Sequence, residues 1–340
     1  MMKNYLYILL LFFFSNSCIS EIAFDAGDQE AMVISGVMTN SIGERTIYLS
    51  RVKGLKAQSN AIDASGAIYK NGELEAELIQ IRLGELAAPF SFRVEEGATY
   101  HIEITSADSQ VYQSKPQLVP PKIKTDSLSF KLSSRREGFN SLGIPINIWF
   151  VDLYAHINVP AQEGTRYYKW QIDESWSFES TRWTCYLSKS VRENPAIVVS
   201  SANLARGSVP IRIASVELDD SFLFKHYFNA YLHAIDEASF EFYDKAQRLS
   251  NISGNLYDEL PAPLQGNVFL SSGEDELVLG NVEFSLADTA RLPIDYNELG
   301  RQLFNVCNTP SPCPTFGPCA CVDCASVFGF ASVAKPFYWE

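Results

Sequence analysis

Residues 99–107, TYHIEITSA, decide the fold class. Tyr100, Ile102 and Ile104 alternate with His101 and Glu103, the period of two that sends neighbouring side chains to opposite faces of a strand. Such a strand buries one face and wets the other, which is the habit of an antiparallel sheet. Outward from it, AMVISGVMTN (31–40), RTIYLSRV (45–52) and PFSFRV (89–94) read as further short β-rich runs. They are separated by the turn-forming stretches NSIGE, KNGE and EEGA, and this punctuation predicts an Ig-like or transthyretin-like β-sandwich over 31–121.

The next stretch, SKPQLVPPKIKTDSLSF (114–130), holds Pro116, Pro120 and Pro121 close together. Proline fixes an extended backbone and removes N–H donors, so the boundary between two consecutive domains is placed there. Beyond it, GIPINIWFVDLY, TRYYKWQID, RWTCYLSKS, PIRIASVEL and SFLFKHYFNAYLHAI are longer strand-like runs, rich in aromatics, that predict a second, larger β-domain over 122–306. One helix interrupts it near 237–249. Asp236 is its expected N-cap, and Phe242, Tyr243, Ala246 and Leu249 form a stripe read as tertiary packing. Two strands with a glycine turn follow in LPAPLQGNVFLSSGEDELVLGNVEFS. The fold class is therefore mainly β, two consecutive sandwich-like domains followed by a cysteine-rich tail over 307–340.

The N-terminus carries Lys3, an apolar run from Tyr5 to Phe14, and small polar residues up to Cys18. That order is expected of a signal peptide over 1–17. As a helix the run reaches only ~15 Å, about half of a ~30 Å hydrocarbon core, so it is read as a signal and not as an anchor. Cys18 after Ser17 resembles a bacterial lipidation site, although Ser15 stands where the motif usually has Leu. A lipid there would hold the chain on a membrane through a short acidic tether, 18–30. The chain has a formal net charge of −13 and no basic cluster, which argues against nucleic acid as a partner.

The run of segments MVISGVMTN, GATYHIEITSADSQVYQS, VPPKIKTDSLSF, RWTCY, FLFKHYFNAYLHAIDEASFEFYDKAQRL and the terminal CVDC with KPFYW resembles the DUF4249 lipoproteins of Bacteroidota over nearly the whole mature chain. The resemblance implies an outer-membrane lipoprotein, surface-exposed or facing the periplasm. It further implies association with a TonB-dependent receptor, and hence an accessory ligand- or receptor-binding role in uptake. A structural or adhesive envelope protein is the alternative. The resemblance supplies no catalytic residue, and the chain lacks the local signatures of P-loop and dinucleotide enzymes, α/β-hydrolases and zinc proteases. No enzymatic role, cofactor or metal is expected. His226 and His233 lie seven residues apart on one strand-like run, so they point to opposite faces. Aromatics crowd residues 167–183, where alternate rings are expected to fill the core. Trp176 and Phe178, in the loop-like DESWSFEST, are the expected exposed binding surface.

With Cys18 given to lipid, Cys185, Cys307, Cys313, Cys319, Cys321 and Cys324 remain, an even set. In an exported protein they read as disulfides. A zinc knot of four thiolates is the rival, and redox chemistry at Cys321 and Cys324 lacks its usual helical context. The informative residue is Cys185. A bridge from it to the tail would staple a proline-rich segment, which has no regular structure of its own, onto the second domain.

Overall fold

The computed structural model describes residues 30–41, 45–53, 60–139, 144–159, 164–180, 183–191, 197–250, 264–273, 276–303, 324 and 331–340. The expected signal peptide, Cys18, the tether, and Cys307, Cys313, Cys319 and Cys321 lie outside the described residues.

The chain is mainly β. The first half contributes β1 (Glu30–Thr39), β2 (Arg45–Lys53), β3 (Asn60–Ala61), β4 (Ala64–Lys70), β5 (Glu73–Arg82), β6 (Glu85–Ala87), β7 (Thr99–Ser106), β8 (Val111–Ser114), β9 (Gln117–Leu118), β10 (Ser127–Phe139) and β11 (Pro145–Val159). The second half adds β12 (Tyr167–Glu179), β13 (Thr184–Ser190), β14 (Ile197–Ser200), β15 (Gly207–Glu217), β16 (Lys225–Ile235), helix α1 (Glu237–Ser250), β17 (Val268–Leu270), β18 (Leu277–Leu279) and β19 (Val282–Asp295). Among the described residues, one long sheet runs β13-β12-β16-β19-β1-β2-β6-β5-β4-β7-β8-β17, and a separate sheet of three strands runs β10-β11-β15.

Alternation in β7 is as the sequence predicts: Tyr100, Ile102 and Ile104 are buried while His101 and Glu103 are half-buried. They join a first core with Met32, Ile34, Ile47 and Ile68. That core also takes residues from late in the chain: Val268 and Leu270, because β17 pairs with β8, and Val278, Val282, Phe284 and Leu286, because β1 pairs in parallel with both β18 and β19. The first core is thus closed by strands distant in sequence. A second core packs Val151, Leu153 and Ile213 of the small sheet against Tyr168, Trp170, Phe228 and Leu232 of β12 and β16. Strand β19 serves both: Val282, Phe284 and Leu286 point into the first core, and Ile294 on the same face enters the second. The proline-rich segment leads from β9 into β10 between the two.

Two expectations are corrected here. PFSFRV is not a strand. Arg45 donates from Nη1 to the carbonyls of Pro89, Phe90 and Phe92, and this clamp holds the segment as an irregular loop with Phe92 and Val94 buried. DESWSFEST is mostly not a loop, since β12 continues to Glu179 and pairs with both β13 and β16. His226 and His233 face opposite sides of β16, as their spacing predicts, and both are fully buried.

Helix α1 begins as its sequence predicts, with the Asp236 carboxylate accepting the Ser239 N–H at 2.9 Å. Its aromatic stripe is only half-buried, and Ser239 is its buried residue.

Candidate functional site

Face assignment along the long sheet follows from register. Lys169 pairs with His233, His233 with Ala287, and Glu283 with Val37, so Lys169, His233, Glu283 and Val37 share the face turned away from the two cores. Thr46 pairs with Val37 and Tyr48 with Ser35, which extends this outer face onto β2. Helix α1 lies over part of it.

Beneath the helix sits a buried polar cluster. Lys169 Nζ is 2.5 Å from Glu283 Oε2, with the two side chains 4% and 1% exposed. Ser285 donates to the other Glu283 oxygen at 2.6 Å and lies 3.0 Å from His233 Nδ1. The Lys169 ammonium also lies 4.7 Å from the centre of the Tyr243 ring, a cation–π contact from the helix above. Burial opposes the Glu283 charge, yet Lys169, His233 and Ser285 hold its carboxyl below the ordinary carboxylate range. Burial and then the Lys169 charge push His233 down to about 3, against the upward pull of Glu283, so its imidazole is neutral at pH 7.

Next to this cluster a cleft of about 380 Å³ opens between sheet and helix. Its walls include Ser35, Gly36 and Val37 of β1, Thr46 and Tyr48 of β2, Gln171 of β12, Phe242 and Tyr243 of α1, and Asn281. The phenyl and phenol rings of Phe242 and Tyr243 meet edge to face, their centres 5.4 Å apart. Asn281 is set by two glycine-dependent approaches. Gly280 has φ +95°, a conformation that suits glycine, and a Cβ on Gly266 would stand 1.8 Å from the Gly280 carbonyl oxygen. Asn267 then brackets Val282, donating to its carbonyl at 2.7 Å and accepting its N–H at 2.9 Å. The Asn281 carbonyl accepts the Gly36 N–H at 3.0 Å, but its buried side-chain Nδ2 has no hydrogen-bond partner.

At the other end of the same outer face lies the C-terminal segment. Cys185 of β13 is bridged to Cys324, a sequence separation of 139. Ser332 pairs through its backbone with Tyr186, and Trp339, 8% exposed, packs on Tyr186 and Tyr227. The Tyr338 hydroxyl is 2.8 Å from Ser175 Oγ and 3.4 Å from Asn229 Nδ2, with Arg291 over its ring. The tail is therefore stapled to the second β unit, the arrangement that a Cys185-to-tail bridge predicts. Closing so long a loop is worth up to ~5 kcal/mol in the chain-entropy model.

The aromatic surface expected at Trp176 and Phe178 is not there. Trp176 lies on the core side of β12, 5% exposed and stacked near His226, and Phe178 is half-buried on the same strand. Strand parity is the reason, since even-numbered residues of β12 face the second core, as Tyr168 and Trp170 do. The exposed ring of the region is Trp183. Sequence reasoning missed Lys169, Glu283 and Asn281. The signals were a lysine inside the aromatic run YYKWQI, a glutamate inside NVEFSLA, and the tripeptide GNV occurring at both 266–268 and 280–282.

Residues 19–291 match the family model described as Domain of unknown function (DUF4249). The match covers most of the chain, and the protein belongs to that family. No curated protein matches it.

Proposed function

We propose that this DUF4249 protein is an exported lipoprotein of the bacterial outer membrane, held by lipid at Cys18. There it acts as an accessory ligand- or receptor-binding component of a TonB-dependent uptake system. The observation that carries the binding role is the cleft between α1 and the outer sheet face, which combines aromatic rings with polar side chains around a concave space. The Cys185–Cys324 bridge supports the compartment, because such bridges persist where the surroundings oxidise.

The reading is of a binding protein and not an enzyme. Lys169 and Glu283 neutralise each other under the helix, and His233 is held neutral beside them. Groups locked together in this way suit a rigid wall better than a proton shuttle.

Affinity purification of the tagged lipoprotein from detergent-solubilised outer membrane, followed by mass spectrometry, tests the role. Recovery of a stoichiometric TonB-dependent barrel is the expected result. Recovery alone, or only with other surface proteins, replaces transport with a structural or adhesive envelope role.

A further inference from the structure

The cleft's chemistry selects among ligands. Of the cations beside it, Lys169 is paired with Glu283 at 2.5 Å, and Arg45, which borders the cleft on β2, pairs with the core residue Met38, so its guanidinium is turned to the core side, where Nη1 donates to three backbone carbonyls. An anionic ligand would therefore lack a counter-charge, and burying an unpaired charge is costly. A purely apolar ligand would leave the buried Asn281 Nδ2 without an acceptor, as it is now. What fits is an uncharged molecule with one apolar face for the Phe242 and Tyr243 rings and a rim of oxygens for Asn281, Gln171 and Thr46. A sugar ring has this division: its C–H face stacks on aromatics, and its hydroxyls both donate and accept. The volume of about 380 Å³ lies at the lower end of the ~300–1,000 Å³ typical of small-molecule sites.

We infer that the cleft binds a neutral saccharide of one or two rings, with Asn281 donating to a ring or hydroxyl oxygen, one of the two near-perpendicular Phe242 and Tyr243 rings stacking on the C–H face and the other closing its edge. This deepens the binding role proposed above and rests on it.

The test is saturation-transfer-difference NMR on the full mature chain. The probes are glucose, galactose, mannose, N-acetylglucosamine and their disaccharides, with glucuronate and glucosamine as charged controls. The expected result is transfer to at least one neutral sugar, weakened tenfold or more by Asn281→Leu and by Tyr243→Ala. Asn281→Leu should keep or raise the thermal midpoint, because it removes an unpaired buried donor; loss of binding with an intact midpoint is then specific. Transfer to no neutral sugar, transfer confined to the charged sugars, or transfer indifferent to both substitutions would overturn the assignment. A receptor barrel recovered with no sugar signal removes only the saccharide, while a sugar signal without a barrel removes only the transport role.

Discussion

Two buried sets of side chains on opposite faces of the long sheet use the same three residue types. Lys169, Glu283 and His233 lie on the outer face under α1; Lys189, Glu174 and His226 lie on the core side of β12, β13 and β16. Both carboxylates are buried and both are held below the ordinary carboxylate range against the cost of burial. The difference is the lysine. Lys169 is 4% exposed, whereas Lys189 is 50% exposed and reaches water while it holds Glu174 at 2.7 Å. A sealed pair cannot be replaced by solvent when one member is lost, and a half-open pair can. The sealed set borders the cleft; the open set finishes the edge where the tail is stapled.

The comparison breaks most directly at Glu283. Glu283→Ala leaves the Lys169 ammonium buried and unpaired, with an expected loss of ~3 to 5 kcal/mol in denaturant titration. Replacing both partners with Lys169→Met and Glu283→Leu should recover most of it, since no charge is then stranded. Opening the staple comes next. Cys185→Ser with Cys324→Ser should cost ~2 to 4 kcal/mol and expose 331–340 to protease, while the cleft at the far end of the face stays formed. Little change in stability, with the tail still protected, would show that Trp339 and Tyr338 hold it alone.

The pH dependence sharpens the contrast further. A Glu283 carboxyl depressed on folding contributes stability above its unfolded value, ~4.3, that is lost as pH falls through the folded value. His233 adds to this in the same direction. The unfolded chain binds its proton near ~6.5 and the folded chain only at about 3, so stability falls as pH drops between these values. A His233→Gln variant should flatten the slope of stability between pH ~4.5 and ~6.5, read from denaturation midpoints across that range. The smallest effect belongs to the half-open set: Lys189→Met should cost less than Glu283→Ala, because the ammonium it removes is half in water and the space it leaves beside Glu174 opens to solvent.

Much of the architecture was legible because it depends on local patterns. The alternation of Tyr100, Ile102 and Ile104 and the Asp236 cap each act within a few residues. The closure of the first core was not legible, since the parallel pairing of β1 with β18 and β19 joins segments far apart in sequence. Trp176 was misread because DESWSFEST is polar enough to look like a loop. Yet two neighbouring strands pair across it and strand parity turns the tryptophan inward. The staple was legible as an inequality of numbers, one cysteine in the body and five in the tail, and Cys324 is the partner found. The cleft was hidden for a chemical reason: its walls come from five separate segments, and Lys169 and Glu283 look like ordinary strand residues until register places them together.

The central claim is that the outer face beneath α1 is a ligand site while the stapled end of the same face is structural. Hydrogen–deuterium exchange of the full mature chain, with and without a saturating mixture of the neutral sugars, tests this most directly. Protection is expected to rise in 237–250, in 34–38 and in 279–283, with no change in 331–340. Protection confined to the stapled end, or none at either end, would contradict it.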